Sequence, residues 1–92
     1  MEQDTIRTRR IELIDQDGTT KAILEAGRGK GSGVVLGGVE EGSPNAAVAV
    51  NDEGEPFLLL KSDAGHIFAA LLSTGPKIRL RDKAGNERII EL

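Results

Sequence analysis

The chain has 92 residues, a length that fits one domain near the lower limit of single-chain stability. Its net charge of −3 excludes a general electrostatic attraction to nucleic acid or to an anionic membrane. The absence of cysteine excludes disulfides, thiol catalysis and thiolate metal sites. Aromatic residues make up only 2% of the chain, so its core must be aliphatic, and a small aliphatic core favours self-association.

The N-terminal segment MEQDTIRTRR is polar and lacks the apolar stretch of a secretory signal. No apolar run in the sequence approaches the length of a membrane span. We therefore expect a soluble cytoplasmic protein. The first strand is predicted over residues 6–14, where Ile6 falls out of phase with Ile11, and a bulge near Arg9 and Arg10 would reconcile the two.

Four short polar segments along the chain share one spacing, with a turn-forming residue three positions before a glycine. This spacing is typical of a type I turn followed by a left-handed glycine, which suits the twist of a β-hairpin. Together with strands of regular length, it predicts an all-β fold: a single domain, residues 1–92, forming an antiparallel up-and-down meander of about eight short strands. The segments are Asp15–Gly18, Asn51–Gly54, Ser62–Gly65 and Asp82–Gly85.

The glycine-rich segment over residues 27–33, GRGKGSG, is predicted to be a mobile loop between two strands, because so many glycines are costly inside a regular element. It does not fit the phosphate-binding Walker pattern, since Lys30 precedes Gly31 and no helix is predicted after it. The alternative is an anion-binding loop that uses Arg28 and Lys30.

The most apolar segment, FLLLKSDAGHIFAALL over residues 57–72, predicts a hairpin with apolar side chains on both faces. A sheet with one solvated face should alternate apolar and polar residues, so this hairpin needs cover on two sides. In so small a protein the second cover is expected to come from another copy of the chain. A helix over residues 66–72 is the local alternative, although no clear helix cap precedes it.

The repeated spacing resembles that of uncharacterised bacterial proteins built from tandem D-x-x-G-x-x-R β-hairpin repeats. The resemblance lies in IELIDQDGTTKAIL, EEGSPNAAVAV and RLRDKAGNERI, and it covers most of the chain from Ile11 onward. The basic position of the repeat is kept as Lys21 and Arg88 but is replaced by Phe57 and Phe68 in the central hairpin. The resemblance implies an all-β repeat fold and no particular activity.

Two kinds of chemical site suggested by the sequence have simpler explanations. His66 is the only histidine and lies near Ser62, Asp63 and Ser73, yet nothing in the sequence indicates an oxyanion hole or a pocket. Asp15 and its neighbour Asp17 resemble the start of a calcium-binding loop but lack the remaining acidic ligands, and turn chemistry explains both.

A basic face for nucleic acid would form if the two terminal strands paired, although the aromatic residues needed for base stacking are missing from it. Solubilisation of the edge strands is the simpler role of these cations. The cations concerned are Arg7, Arg9, Arg10, Arg28, Lys77, Arg79, Arg81 and Arg88.

The leading hypothesis is a non-enzymatic structural or interaction module that forms a closed homo-oligomer, with a trimer among the candidate orders and no cofactor, metal, nucleic acid or membrane involved. The sequence does not tell which parity of the central hairpin faces the core. The alternative is a small monomeric β-barrel that binds an apolar small molecule. The residues predicted at the oligomer interface are Phe57, Leu58, Leu60, Phe68 and Leu72.

Overall fold

The computed structural model describes residues 4–27, 31–38 and 42–92. These residues form eight strands and no helix, which confirms the predicted all-β meander. The strands are β1 (Arg10–Ile14), β2 (Thr20–Ala26), β3 (Ser32–Gly37), β4 (Asn45–Val50), β5 (Pro56–Ser62), β6 (Gly65–Leu72), β7 (Gly75–Asp82) and β8 (Glu87–Glu91).

All eight strands belong to one antiparallel sheet whose spatial order is the order of the sequence. Each strand contacts only the strands that precede and follow it in the chain. The sheet is open, because β1 pairs only with β2 and β8 pairs only with β7. Segment 66–72, for which a helix was the alternative, lies within β6.

Three of the four predicted turns have the expected geometry. In the first, the Gly18 amide donates to the Asp15 carbonyl at 3.0 Å, and the Asp15 amide donates to the Thr19 carbonyl at 2.9 Å. Gly18 has a φ of +82°, the left-handed conformation that favours glycine. The turns that begin at Asn51 and Asp82 repeat the same two backbone hydrogen bonds.

The fourth turn departs from this pattern. Ser62 and Gly65 are themselves paired in the ladder between β5 and β6, so the connection contains only two residues. Gly65 has a φ of +132°, and no residue other than glycine has a positive φ in the described ranges, so the loop is not a type I′ turn. The connection between β6 and β7 has the same form, with Leu72 paired to Gly75.

The first strand differs from its prediction at both ends. It begins at Arg10, and residues 4–9 form no strand. Ile6 therefore lies outside the strand, and its spacing from Ile11 requires no bulge. The register of the first ladder shifts between Leu13 and Ile14, and the bulge predicted near Arg9 is therefore wrong. The predicted glycine-rich loop over residues 27–33 is too long, because β3 begins at Ser32. Residues 28–30, which include Arg28 and Lys30, lie outside the described residues.

The sheet forms a single layer, and little of it is buried. Only Ala22 and Ala70 are classed as buried hydrophobic residues in the part of the chain that the structure describes. Folded domains normally pack two layers around one core. The described residues also include no helix long and apolar enough to cross a membrane.

Candidate interaction surface

One face of the sheet, called the apolar face below, is built from two rows of side chains that run across all eight strands. Residues opposite each other in an antiparallel ladder point to the same side, so the ladder registers define these rows directly. The first row is Ile11, Leu24, Val34, Val48, Leu58, Ala69, Ile78 and Ile90. The second row is Leu13, Ala22, Leu36, Ala46, Leu60, Ile67, Leu80 and Arg88.

The large aliphatic side chains of both rows are exposed. Their exposed fractions range from 36% at Val34 to 62% at Val48. Arg88 is the one charged member of the two rows, and it lies on the edge strand β8. A hollow of about 630 Å³ is lined mainly by residues of this face, including Leu24, Leu58 and Ile78. The apolar face is therefore an extended and partly concave hydrocarbon surface that the described part of the chain leaves uncovered.

The total surface supports the same conclusion. The chain exposes 7451 Å², whereas a compact monomer of its mass is expected to expose about 5,200 Å². The excess is roughly 2,300 Å², part of which comes from the exposed residues 4–9. The radius of gyration is 15.8 Å, against about 12 Å for a compact domain of this length.

The opposite face, called the mixed face below, has an apolar centre that the chain partly covers itself. Phe57, Leu59 and Phe68 are half-buried there, and the two rings lie 5.7 Å apart between centroids. The guanidinium carbon of Arg79 lies 6.0 Å from the Phe68 centroid, at the outer limit of a cation–π contact. Long side chains therefore lie over apolar ones on this face.

Ion pairs flank the centre of the mixed face at both edges of the sheet. Arg10 lies 2.6 Å from Glu25 and 3.3 Å from Glu12, and these contacts raise the pKa of Arg10. At the other edge, Arg79 Nε lies 3.1 Å from Glu87 Oε1, although the geometry does not make a hydrogen bond. The pairs are half-exposed and add little stability, but they make this face compatible with water.

The predicted interface residues divide between the two faces. Leu58 and Leu60 lie on the apolar face, with exposed fractions of 38% and 39%. Phe57, Phe68 and Leu72 lie on the mixed face and are half-buried. The apolar face extends well beyond the central hairpin, to Leu13 and Ile90 on the edge strands, which sequence reasoning did not single out. The alternation of apolar and polar residues in KIRLR and in the other strands was the sequence feature that could have identified the full extent of this face.

The predicted chemical sites do not come together. His66 lies in the ladder between Lys61 and Arg81, and neither Ser62 nor Asp63 hydrogen-bonds to it in the described part of the chain. The Asp15 carboxylate accepts hydrogen bonds from the amides of Asp17 at 2.8 Å and Thr19 at 3.0 Å. These bonds lower the pKa of Asp15, that to Thr19 most.

No group of three or more residues suitable as metal ligands occurs in the described ranges. The basic face that required the terminal strands to pair does not form, because β1 and β8 occupy opposite edges of the sheet. The same separation means that the chain does not close into the barrel on which the alternative hypothesis depended. No protein-family model, curated protein or solved structure matches this chain significantly.

Proposed function

We propose that this protein is a non-enzymatic structural module that self-associates by burying its apolar face against further copies of itself. The observation that supports the proposal is the pair of aliphatic rows exposed across all eight strands. Soluble monomers rarely expose contiguous apolar patches above a few hundred Å². The surface excess of roughly 2,300 Å² per chain, apart from the share that residues 4–9 contribute, is large enough to supply an interface of standard size, about 800 Å² per partner.

A second copy fits this face better than a small molecule does. Small-molecule sites combine an apolar lining with a few convergent polar groups that orient the ligand. The two rows supply only Arg88, at one edge of the sheet. Homo-oligomer interfaces, in contrast, resemble a domain core cut in half. Because each copy carries the same uncovered face, a closed assembly would cover all of them.

The proposal is tested by absolute mass in solution, measured by light scattering behind a size-exclusion column over a wide dilution series. The wild-type chain is expected to elute as a stable multiple of 9.8 kDa. Leu58→Asp and Leu60→Asp each place a charge in the centre of the apolar face, where burial without a partner costs several kcal/mol. Both variants should lose the multimer. A folded multimer of unchanged mass in both would contradict the proposal.

The chain offers a matched control for the face itself. Ile89 and Ile90 are adjacent in β8 and have exposed fractions of 48% and 47%, but they lie on opposite faces. Ile90→Asp and Ile90→Gln should each dissociate the assembly, whereas the uncharged Ile89→Gln on the mixed face should leave its mass unchanged. Equal effects of the two glutamine substitutions would show that strand stability rather than the apolar face controls the assembly.

A fluorescent apolar probe distinguishes the proposal from a ligand-binding role. If copies of the chain cover the apolar face, the wild-type multimer should bind little probe, and the dissociated Ile90→Asp variant should bind more. Saturable binding by the wild type with fixed stoichiometry would indicate that the hollow on this face holds a small apolar molecule.

A further inference from the structure

The two edges of the sheet are complementary to each other. Edge strands present unpaired backbone N–H and C=O groups to any strand that approaches. Both β1 and β8 have five residues and contain no proline. Arg10 and Glu12 of β1 lie on the mixed face, and so do Glu87 and Glu91 of β8. The edges therefore carry charges of both signs on the same face.

The strand count fixes how two copies could meet at these edges. In an antiparallel meander with an even number of strands, the first and last strands run in opposite directions. If two copies lie side by side with their apolar faces on the same side, β8 of one copy is antiparallel to β1 of the next. Their sheets would then continue as one.

Charge and row continuity select one register for this pairing. Joining the first apolar row across the boundary places Ile90 opposite Ile11 of the next copy, which places Glu91 opposite Arg10. A shift of this register by one residue would place the apolar face of one copy on the same side as the mixed face of the next. A shift by two residues in either direction would place Glu87 or Glu91 opposite Glu12, and like charges in opposite positions are destabilising.

We propose that the copies join head to tail, β8 of one to β1 of the next, in the Ile90–Ile11 register, and that the chain of contacts closes into a ring with the apolar faces inside. This inference rests on the proposed self-association and adds its geometry. Head-to-tail contacts form a ring when the rotation between copies closes. Stacking two copies face to face without joining their edges would instead leave both edge strands unpaired.

Engineered cysteines test the register without background, because the chain has none of its own. One double variant carries Ile11→Cys and Ile90→Cys, and a second carries Glu12→Cys and Ile89→Cys. Consecutive opposite pairs alternate between a wide and a narrow spacing, so one of the two double variants should meet the geometry of a disulfide. Mild oxidation of the assembled protein should then give cross-linked species on a denaturing, non-reducing gel. The largest should have the mass found by scattering before oxidation.

Two kinds of control make the result decisive. Each single-cysteine variant should stay at 9.8 kDa on the gel, because a head-to-tail contact never brings two copies of one position together. The off-register pair Ile11→Cys with Arg88→Cys should cross-link at least tenfold more slowly. Cross-linking by a single variant would indicate a two-fold edge contact and would overturn the proposed geometry.

Failure of this inference differs from failure of the proposed function. A multimer by scattering that neither double variant cross-links would leave self-association in place and overturn the edge pairing. A wild-type monomer by scattering would overturn both.

Discussion

Substitution of Gly65 by alanine should disrupt the fold far more than the same substitution at Gly85. Each glycine lies three positions after the turn-forming residue of its segment, Ser62 or Asp82. Both glycines have a positive φ, +132° at Gly65 and +89° at Gly85. A Cβ at Gly85 would meet no atom within 4 Å. A Cβ at Gly65 would run into the backbone carbonyl of Arg81 on the neighbouring strand β7.

The expected losses follow from these surroundings. At Gly85, alanine should lower the free energy of unfolding only by the cost of the left-handed conformation, about 1–2 kcal/mol. At Gly65, a non-glycine residue in a sparsely populated backbone region costs about 1–3 kcal/mol. The Arg81 carbonyl must also move, which weakens the end of the β6–β7 ladder by roughly one hydrogen bond, or about 1–2 kcal/mol more. The total at Gly65 is then about 2–5 kcal/mol, a large part of the stability of a small protein.

The assay is urea denaturation of the two variants and the wild type at one fixed subunit concentration, because stability coupled to assembly depends on concentration. The midpoint of Gly65→Ala should fall clearly below that of Gly85→Ala, with the slopes unchanged. Equal losses would refute the reasoning, since they would show that the approach of Arg81 to Gly65 places no constraint on the side chain there.

Three further outcomes are expected. The thermal midpoint should rise with subunit concentration, since association stabilises the folded state by mass action, and a midpoint that is independent of concentration would argue for a stable monomer. The pKa values of Asp15 and Asp82 are lowered, by hydrogen bonds from Thr19 and Asn86 respectively, so their contribution to stability is complete above the ordinary pKa of 3.8 and is lost as the pH falls through the lower folded value. Asn replacements at both positions should flatten an acid denaturation curve below the ordinary aspartate pKa of 3.8, and a curve that keeps its steepness would assign acid sensitivity to other groups. Glu55 accepts a hydrogen bond from the Ser73 amide at 2.7 Å, so Glu55→Ala should speed hydrogen exchange at that amide at least tenfold, with the Ala64 amide as an unaffected control.

The sequence predicts the meander well because its signals are local. An apolar–polar alternation with a fixed turn spacing specifies hairpins, and consecutive hairpins specify the strand order. The turn at Asn51 illustrates how local this chemistry is, since the Asn51 side-chain oxygen accepts bonds from the Glu53 and Glu55 amides at 3.0 Å as Asp15 does in the first turn. Either residue type satisfies the turn.

What the sequence could not predict depends on relations between strands. Period 2 groups Leu58 with Leu60 and Phe57 with Leu59, but it does not say which group is left uncovered. That depends on which face the chain partly covers with its own long side chains, and Arg79 beside Phe68 is an example on the mixed face. In the same way, the spacing from Ser62 to Gly65 equals that of the other turns, but the ladder register makes its connection shorter.

Because each strand contacts only its sequence neighbours, folding of one subunit can proceed by adding one hairpin to the next. Hairpins of this kind form within about 1–10 μs, so the sheet can grow strand by strand from any hairpin. For the proposed assembly, the slow event should then be the encounter between subunits. Refolding should accordingly show a fast phase that is independent of concentration, followed by a slower phase whose rate increases with subunit concentration.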